Sequence, residues 1–292
     1  MSAPTTRLIS DLAEVAGDYD VLFCDLWGCL HDGVRVHAEA VEALRGFRRG
    51  GGAVVLMTNA PRPAASVVAQ LGRLGAPEDC WDAVVSSGDA ALESVNRGEW
   101  GRRAAAIFDA ERDAAFFEAA RIEILAEPGE ADSVIVTGLR DDRAETPEDY
   151  RDALREMQLR RLPMLCANPD LHVDVGERRV FCAGALAALY EEMGGVSRAM
   201  GKPHAPIYAL GRRAGESALG RPLEDDRILC IGDGVATDVA GATSEGLDAV
   251  FVAGGLAAGR MGPDPARPDP AALRAFLAEH RLSPRFALGR LR

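Results

Sequence analysis

Four short motifs carry the residue types in this 292-residue chain that could do chemistry. Asp25 ends the apolar run Val21-Leu22-Phe23-Cys24. A carboxylate there is costly unless it is paired, bound to a metal or used as a turn or helix cap. Thr58 and Asn59 close a second apolar run just before a helix, where free backbone amides hold an anion. The same pair would also serve as ordinary N-cap chemistry. Lys202, held between Gly201 and Pro203 at the start of a helix, suits pairing with carboxylate or phosphoryl oxygens, or a solvated surface position. Asp233 and Asp238 bracket a glycine turn in Ile231-Gly232-Asp233-Gly234-Val235-Ala236-Thr237-Asp238. Hard oxygen ligands beside a phosphate site suit Mg²⁺, which takes one or two carboxylates and completes its shell with water and substrate. Asp238 could instead cap the helix or pair with Lys202.

The elements that must position these residues follow a βαβ grammar. Apolar runs at 21–24, 53–57, 84–85, 104–108, 133–137, 164–167, 228–231 and 249–252 read as buried strands. Helical spacing lies between them: Val41, Leu44 and Phe47 form one inner face, Val67, Leu71 and Leu74 a second, and Tyr150, Leu154 and Met157 a third. Further helices are expected at 185–193, after Pro203, after Thr237 and over 271–279, with a Pro-rich loop at 261–270. This alternation predicts an α/β fold with a Rossmann-like, doubly wound parallel sheet. All four motifs sit where strands end, the edge at which open α/β sheets bind ligands.

Composition narrows the function. Apolar residues make up 48% and charged residues 27%, enough for a folded core. The net charge of -12 and an aromatic content of 5% argue against a nucleic-acid partner. An anionic substrate must therefore be held by a few placed cations or a metal. The six cysteines form no CxxC pair and most lie in apolar runs, the pattern of reduced, buried thiols in a cytoplasmic protein. The first twenty residues lack the apolar segment of a secretion signal, and no apolar stretch approaches the roughly 20 residues of a membrane helix.

The order Asp25, Thr58-Asn59, Lys202, Asp233 and Asp238 resembles the haloacid-dehalogenase superfamily over essentially the whole chain. The insert between the second and third motifs looks like the C2-type α/β cap of subclass IIA, which includes nucleotide and p-nitrophenyl phosphatases. Ser87-Gly88-Asp89 at the cap entry and Asn168-Pro169-Asp170 inside the insert add to the match. The resemblance implies a hydrolase core at 1–87 and 198–292 with a cap at 88–197. It implies that Asp25 attacks phosphorus to form an aspartyl-phosphate. Thr58, Asn59 and Lys202 would hold the phosphoryl group. Asp25, the Trp27 backbone carbonyl, Asp233 and Asp238 would hold Mg²⁺, with Asp238 direct or one shell out. Asn168, Asp170 and His172 would help choose the substrate from the cap, or simply form a polar turn. The expected activity is Mg²⁺-dependent hydrolysis of small phosphate monoesters. The expected partner is a small phosphorylated metabolite, with no nucleic acid and no membrane, and a homodimer stays open.

The sequence departs from that pattern at one position. Phosphatases of the superfamily carry a second aspartate two residues after the nucleophile, which protonates the leaving group and then activates water. Here that residue is Trp27, whose side chain has no proton to exchange at neutral pH. His31 and Asp32 are the nearest candidate surrogates, and His31, which titrates near neutrality, suits the task, with a substrate-rim or turn role as its alternative. Two rival functions follow from Trp27. One is a metal-independent Asp-nucleophile hydrolase such as a dehalogenase, which carries an aromatic residue at this position. The other is a phospho-ligand-binding protein that has lost turnover.

Overall fold

The computed structural model describes residues 6–175 and 178–292. Along the chain run β1 (Arg7–Leu8), β2 (Val21–Cys24), α1 (Ala38–Arg49), β3 (Ala53–Thr58), α2 (Ala64–Arg73), β4 (Ala83–Ser86) and α3 (Ser87–Asn96). Next come β5 (Arg103–Ile107), α4 (Ala114–Ala119), β6 (Glu123–Leu125), β7 (Ser133–Val136), α5 (Arg151–Leu159) and β8 (Met164–Cys166). The hairpin β9 (His172–Val175) and β10 (Arg178–Phe181) leads to α6 (Ala183–Glu192) and β11 (Ser197–Ala199). The chain ends with α7 (Ala205–Leu219), β12 (Ile228–Gly232), α8 (Ala240–Ser244), β13 (Asp248–Val252), α9 (Pro270–Glu279) and β14 (Phe286–Leu288).

These elements form two compact units. One takes the chain up to Thr58, Ala69–Val85 and Tyr208–Arg292; the other takes Asn59–Val68 and Ser86–Ile207. The expected core resumed at 198, but Ser197–Ala199 pairs in parallel with Met164–Cys166 and belongs to the second unit's sheet. The sequence reading missed this because the strand is only three residues long and partly polar.

The first unit is built on a seven-stranded sheet of order β1-β14-β13-β12-β2-β3-β4. Strands β2, β3 and β12 are buried at every position, as their uninterrupted apolar runs require of strands covered on both faces. From β2 the chain winds outward through β3 and β4; from β12 it winds the other way through β13 and β14. The neighbours β2 and β12 therefore flank the point where the winding reverses, and ligands bind at the carboxyl ends of strands at such points. Cys24 is in register with Ile231, so Asp25 and Gly232 leave the sheet side by side.

The second unit has a five-stranded parallel sheet of order β11-β8-β7-β5-β6 and the separate hairpin β9–β10. Its core joins Ile107, Val134, Val136 and Met164 to Leu154 and Met157 of α5 and to Leu186 and Tyr190 of α6. The loop 168–170 after β8 lies tight against the start of α6. A Cβ on Gly184 would fall 2.3 Å from the Pro169 carbonyl oxygen and 2.5 Å from that of Asp170. Gly184→Ala should therefore cost about 1–3 kcal/mol of stability in urea unfolding, because the obstacle is backbone that cannot rotate away. Wild-type stability in that variant would show that the loop is not held there.

Candidate active site

In the first unit, Asp25, Asp233 and Asp238 converge at the switch point. Each offers a carboxylate oxygen, and these oxygens lie within 4.8 Å of one another. All three residues are buried, at 8%, 5% and 6% exposure, and Thr58 at the end of β3 is 4% exposed. The Asp25 amide donates to the Ile231 carbonyl at 2.8 Å, extending the β2–β12 ladder to the very residue that leaves the sheet. Asp233 accepts from the Leu256 amide at 2.8 Å. Asp238 accepts from the Gly234 amide at 3.1 Å, across the single π-helical turn Val235–Val239.

Glycines make room for these carboxylates. A Cβ at position 28 would fall 1.9 Å from Oδ2 of Asp233, and one at position 255 would fall 2.1 Å from the same oxygen. Gly28 also has φ +71°, a conformation that side chains disfavour. The Trp27–Gly28 peptide thus lies directly against Asp233. Sequence reasoning missed Gly28, Gly255 and Leu256. The Gly254-Gly255 pair one residue past buried β13 was the available signal, since glycine near a strand end often marks a close backbone approach.

Trp27 is half-buried and turned onto its own loop. A Cβ on Gly33 would fall 2.3 Å from the indole, and the His31 ring meets the indole edge-on with centroids 5.2 Å apart. His31 is 1% exposed, and its Nδ1 accepts the Gly33 amide hydrogen at 3.0 Å. Burial pushes its pKa down to about 4, helped by the nearby His37. A ring that is neutral at pH 7 and already bonded at Nδ1 does not suit the surrogate-acid role expected of it. His31 instead braces Trp27.

In the second unit, Asn59 and Lys202 are brought together. Asn59 Oδ1 accepts from the Lys202 amide at 2.7 Å, and Asn59 Nδ2 donates to the Lys202 carbonyl at 3.0 Å. Nδ2 also donates to Asp170 Oδ1 at 2.8 Å. Asn168 is 7% exposed and shapes the loop, its Oδ1 accepting from the Asp170 amide at 3.0 Å. His172 is exposed at the start of β9. Of the three expected substrate-choosing residues, only Asp170 is thus bonded to a motif residue by a hydrogen bond seen here. The cap entry is structural: Ser86 and Asp89 form a capping box on α3, and Asp89 also accepts from the Ala64 amide at the start of α2.

Residues 22–123 match the family model described as haloacid dehalogenase-like hydrolase, and residues 199–280 match a second, described as HAD-hydrolase-like. The crystal structure of a hydrolase of the haloacid dehalogenase-like family from Brucella suis is 42% identical, covering 98% of this chain and 100% of that one, with a TM-score of 0.85. This chain belongs to the haloacid dehalogenase-like hydrolase family. The family fold extends to a p-nitrophenyl phosphatase from Archaeoglobus fulgidus, 21% identical with TM-score 0.68 over 94% of this chain and 97% of that one. It also extends to a glycerol phosphate phosphatase from Mycobacterium tuberculosis in complex with calcium, 22% identical with TM-score 0.64 over 89% of this chain and 76% of that one. No curated protein matches the sequence.

The acids of this family member fit a hard divalent cation. Three buried carboxylates this close repel one another unless a cation or protons intervene, and an all-oxygen donor set suits Mg²⁺ or Ca²⁺. Gly255→Ala tests that fit, because the added methyl displaces the Asp233 carboxylate without removing it. Titration calorimetry with Mg²⁺ should show binding weakened by about 10–100-fold in a folded variant, the range seen when a ligand's support is lost. Unchanged affinity would exclude Asp233 from the cation site.

Proposed function

We propose that this protein hydrolyses small phosphate monoesters through an aspartyl-phosphate on Asp25. The observation that carries the reading is the gathering of Asp25 with Asp233 and Asp238 at the switch point of the sheet. The Asp25 carboxylate attacks phosphorus, the ester oxygen leaves with its electron pair, and water then releases phosphate and restores the carboxylate. Thr58 and the Asn59 amide, at a strand-to-helix junction, hold phosphoryl oxygens. Lys202 supplies fixed positive charge, its backbone clamped by the Asn59 side chain. Mg²⁺, held by Asp25, Asp233, Asp238 and the Trp27 carbonyl, would neutralise charge on the phosphoryl oxygens. Fold likeness to the two phosphatases supports the same reading. Six buried thiols accord with a reducing, cytoplasmic setting, and among the described residues no helix is long and apolar enough to cross a membrane.

Trp27 shapes the expected selectivity. With no carboxyl at that position and a neutral His31, an alkoxide must leave without a proton, whereas an aryl oxide leaves as a stabilised anion. Phosphate release with Mg²⁺ should be faster from p-nitrophenyl phosphate than from alkyl phosphates, by up to the ~10²–10⁴-fold worth of a general acid. Excess chelator should abolish it. Trp27→Asp should raise alkyl-phosphate turnover selectively. Activity that survives chelation would favour the dehalogenase reading. Phosphate binding with no turnover of either class would favour the phospho-ligand sensor.

A further inference from the structure

The Asn59 side chain is a fully engaged joint. An amide has two N–H hydrogens, and both are used: one on the Lys202 carbonyl at 3.0 Å and one on Asp170 Oδ1 at 2.8 Å. Its oxygen accepts from the Lys202 amide at 2.7 Å. Asn59 and Lys202 are 4% exposed, so water does not readily replace these bonds. The joint is closely packed on its other side. A Cβ at Gly201 would fall 2.4 Å from Asn59 Oδ1 and 2.7 Å from the Ser87 hydroxyl.

A primary amide can rotate by half a turn and exchange its oxygen for its nitrogen. Turned that way, Asn59 would present Nδ2 to the Lys202 N–H and Oδ1 to the Lys202 carbonyl, two repulsive contacts. The Asp170 carboxylate accepts only, so it stabilises the one orientation in which Nδ2 faces the carbonyl. A hydrogen bond to a charged acceptor is also stronger than one between neutral groups.

We propose that Asp170 is a positioning residue, which acts through the Asn59 amide to fix the Lys202 backbone and with it the lysine's phosphate-holding geometry. The loop 168–170 then sets phosphate affinity as well as lying in the unit expected to choose the substrate. This inference rests on the phosphatase reading only for its consequence in turnover, so its test has an arm that needs no substrate.

Hydrogen exchange of the Lys202 amide is measured by NMR in the unliganded wild type, Asp170→Ala and Asp170→Asn. Exchange should quicken by about tenfold in Asp170→Ala, the scale of one lost hydrogen bond to a charged group. It should stay near wild type in Asp170→Asn, whose side-chain oxygen still accepts from Nδ2. Gly201→Ala, which pushes on Oδ1 from the opposite side, should also quicken it. The second arm measures binding of inorganic phosphate with Mg²⁺ and kcat/KM on aryl and alkyl phosphates. Asp170→Ala should weaken phosphate and lower both kcat/KM values by one common factor. Unchanged Lys202 exchange in folded Asp170→Ala and Gly201→Ala overturns the proposal. So does a loss confined to one leaving-group class, which would make Asp170 a substrate contact. Altered exchange in a protein that releases no phosphate overturns the phosphatase reading and leaves the joint standing.

Discussion

Asp25, Asp233 and Asp238 hold carboxylate oxygens within 4.8 Å of one another while almost entirely shielded from water. Such an arrangement is unfavourable by itself, since each charge is desolvated and each repels the other two. The surrounding architecture accommodates it. Amides of Leu256 and Gly234 point at Asp233 and Asp238, and glycines at 28, 232 and 255 leave the carboxylates the space a methyl group would fill. The all-oxygen donor set is one in which a divalent cation would offset what the backbone dipoles do not. The order β12-β2 in the sheet centre follows the same logic, because only adjacent strands with opposite winding bring Asp25 and Asp233 to one crevice.

Asn59 plays the corresponding part in the second unit. The backbone passes directly from Thr58, the last residue of β3, to Asn59, whose side chain grips Lys202. Trp27, by contrast, turns inward: its indole is engaged by Gly33 and His31 within its own loop.

Much of this was legible in the sequence wherever burial on both faces wrote an unbroken apolar run. Strands β2, β3, β12 and β13 are of that kind, while α1 and α5 were legible from the three-residue spacing of their buried side chains. Short or edge elements were not: β1 has two residues and β14 three, and they become strands only by pairing with each other and with β13. The clamp was invisible because Asn59 and Lys202 are 143 positions apart and the contact is side chain to backbone, which leaves no spacing signature. His31 was legible as a titrating residue but not as a buried one, and it is burial that pushes its pKa to about 4.

Whether Asp25 is the nucleophile is the question on which the mechanism stands. The direct measurement is acid quenching during turnover of p-nitrophenyl phosphate with Mg²⁺, followed by peptide mapping of the acid-stable, base-labile phosphoryl group. The account predicts one phosphoryl group on the peptide that contains Asp25, at a level raised by the missing base at position 27, and none in Asp25→Asn. Steady turnover with no phosphoryl group on Asp25, or with the group on another residue, would contradict it.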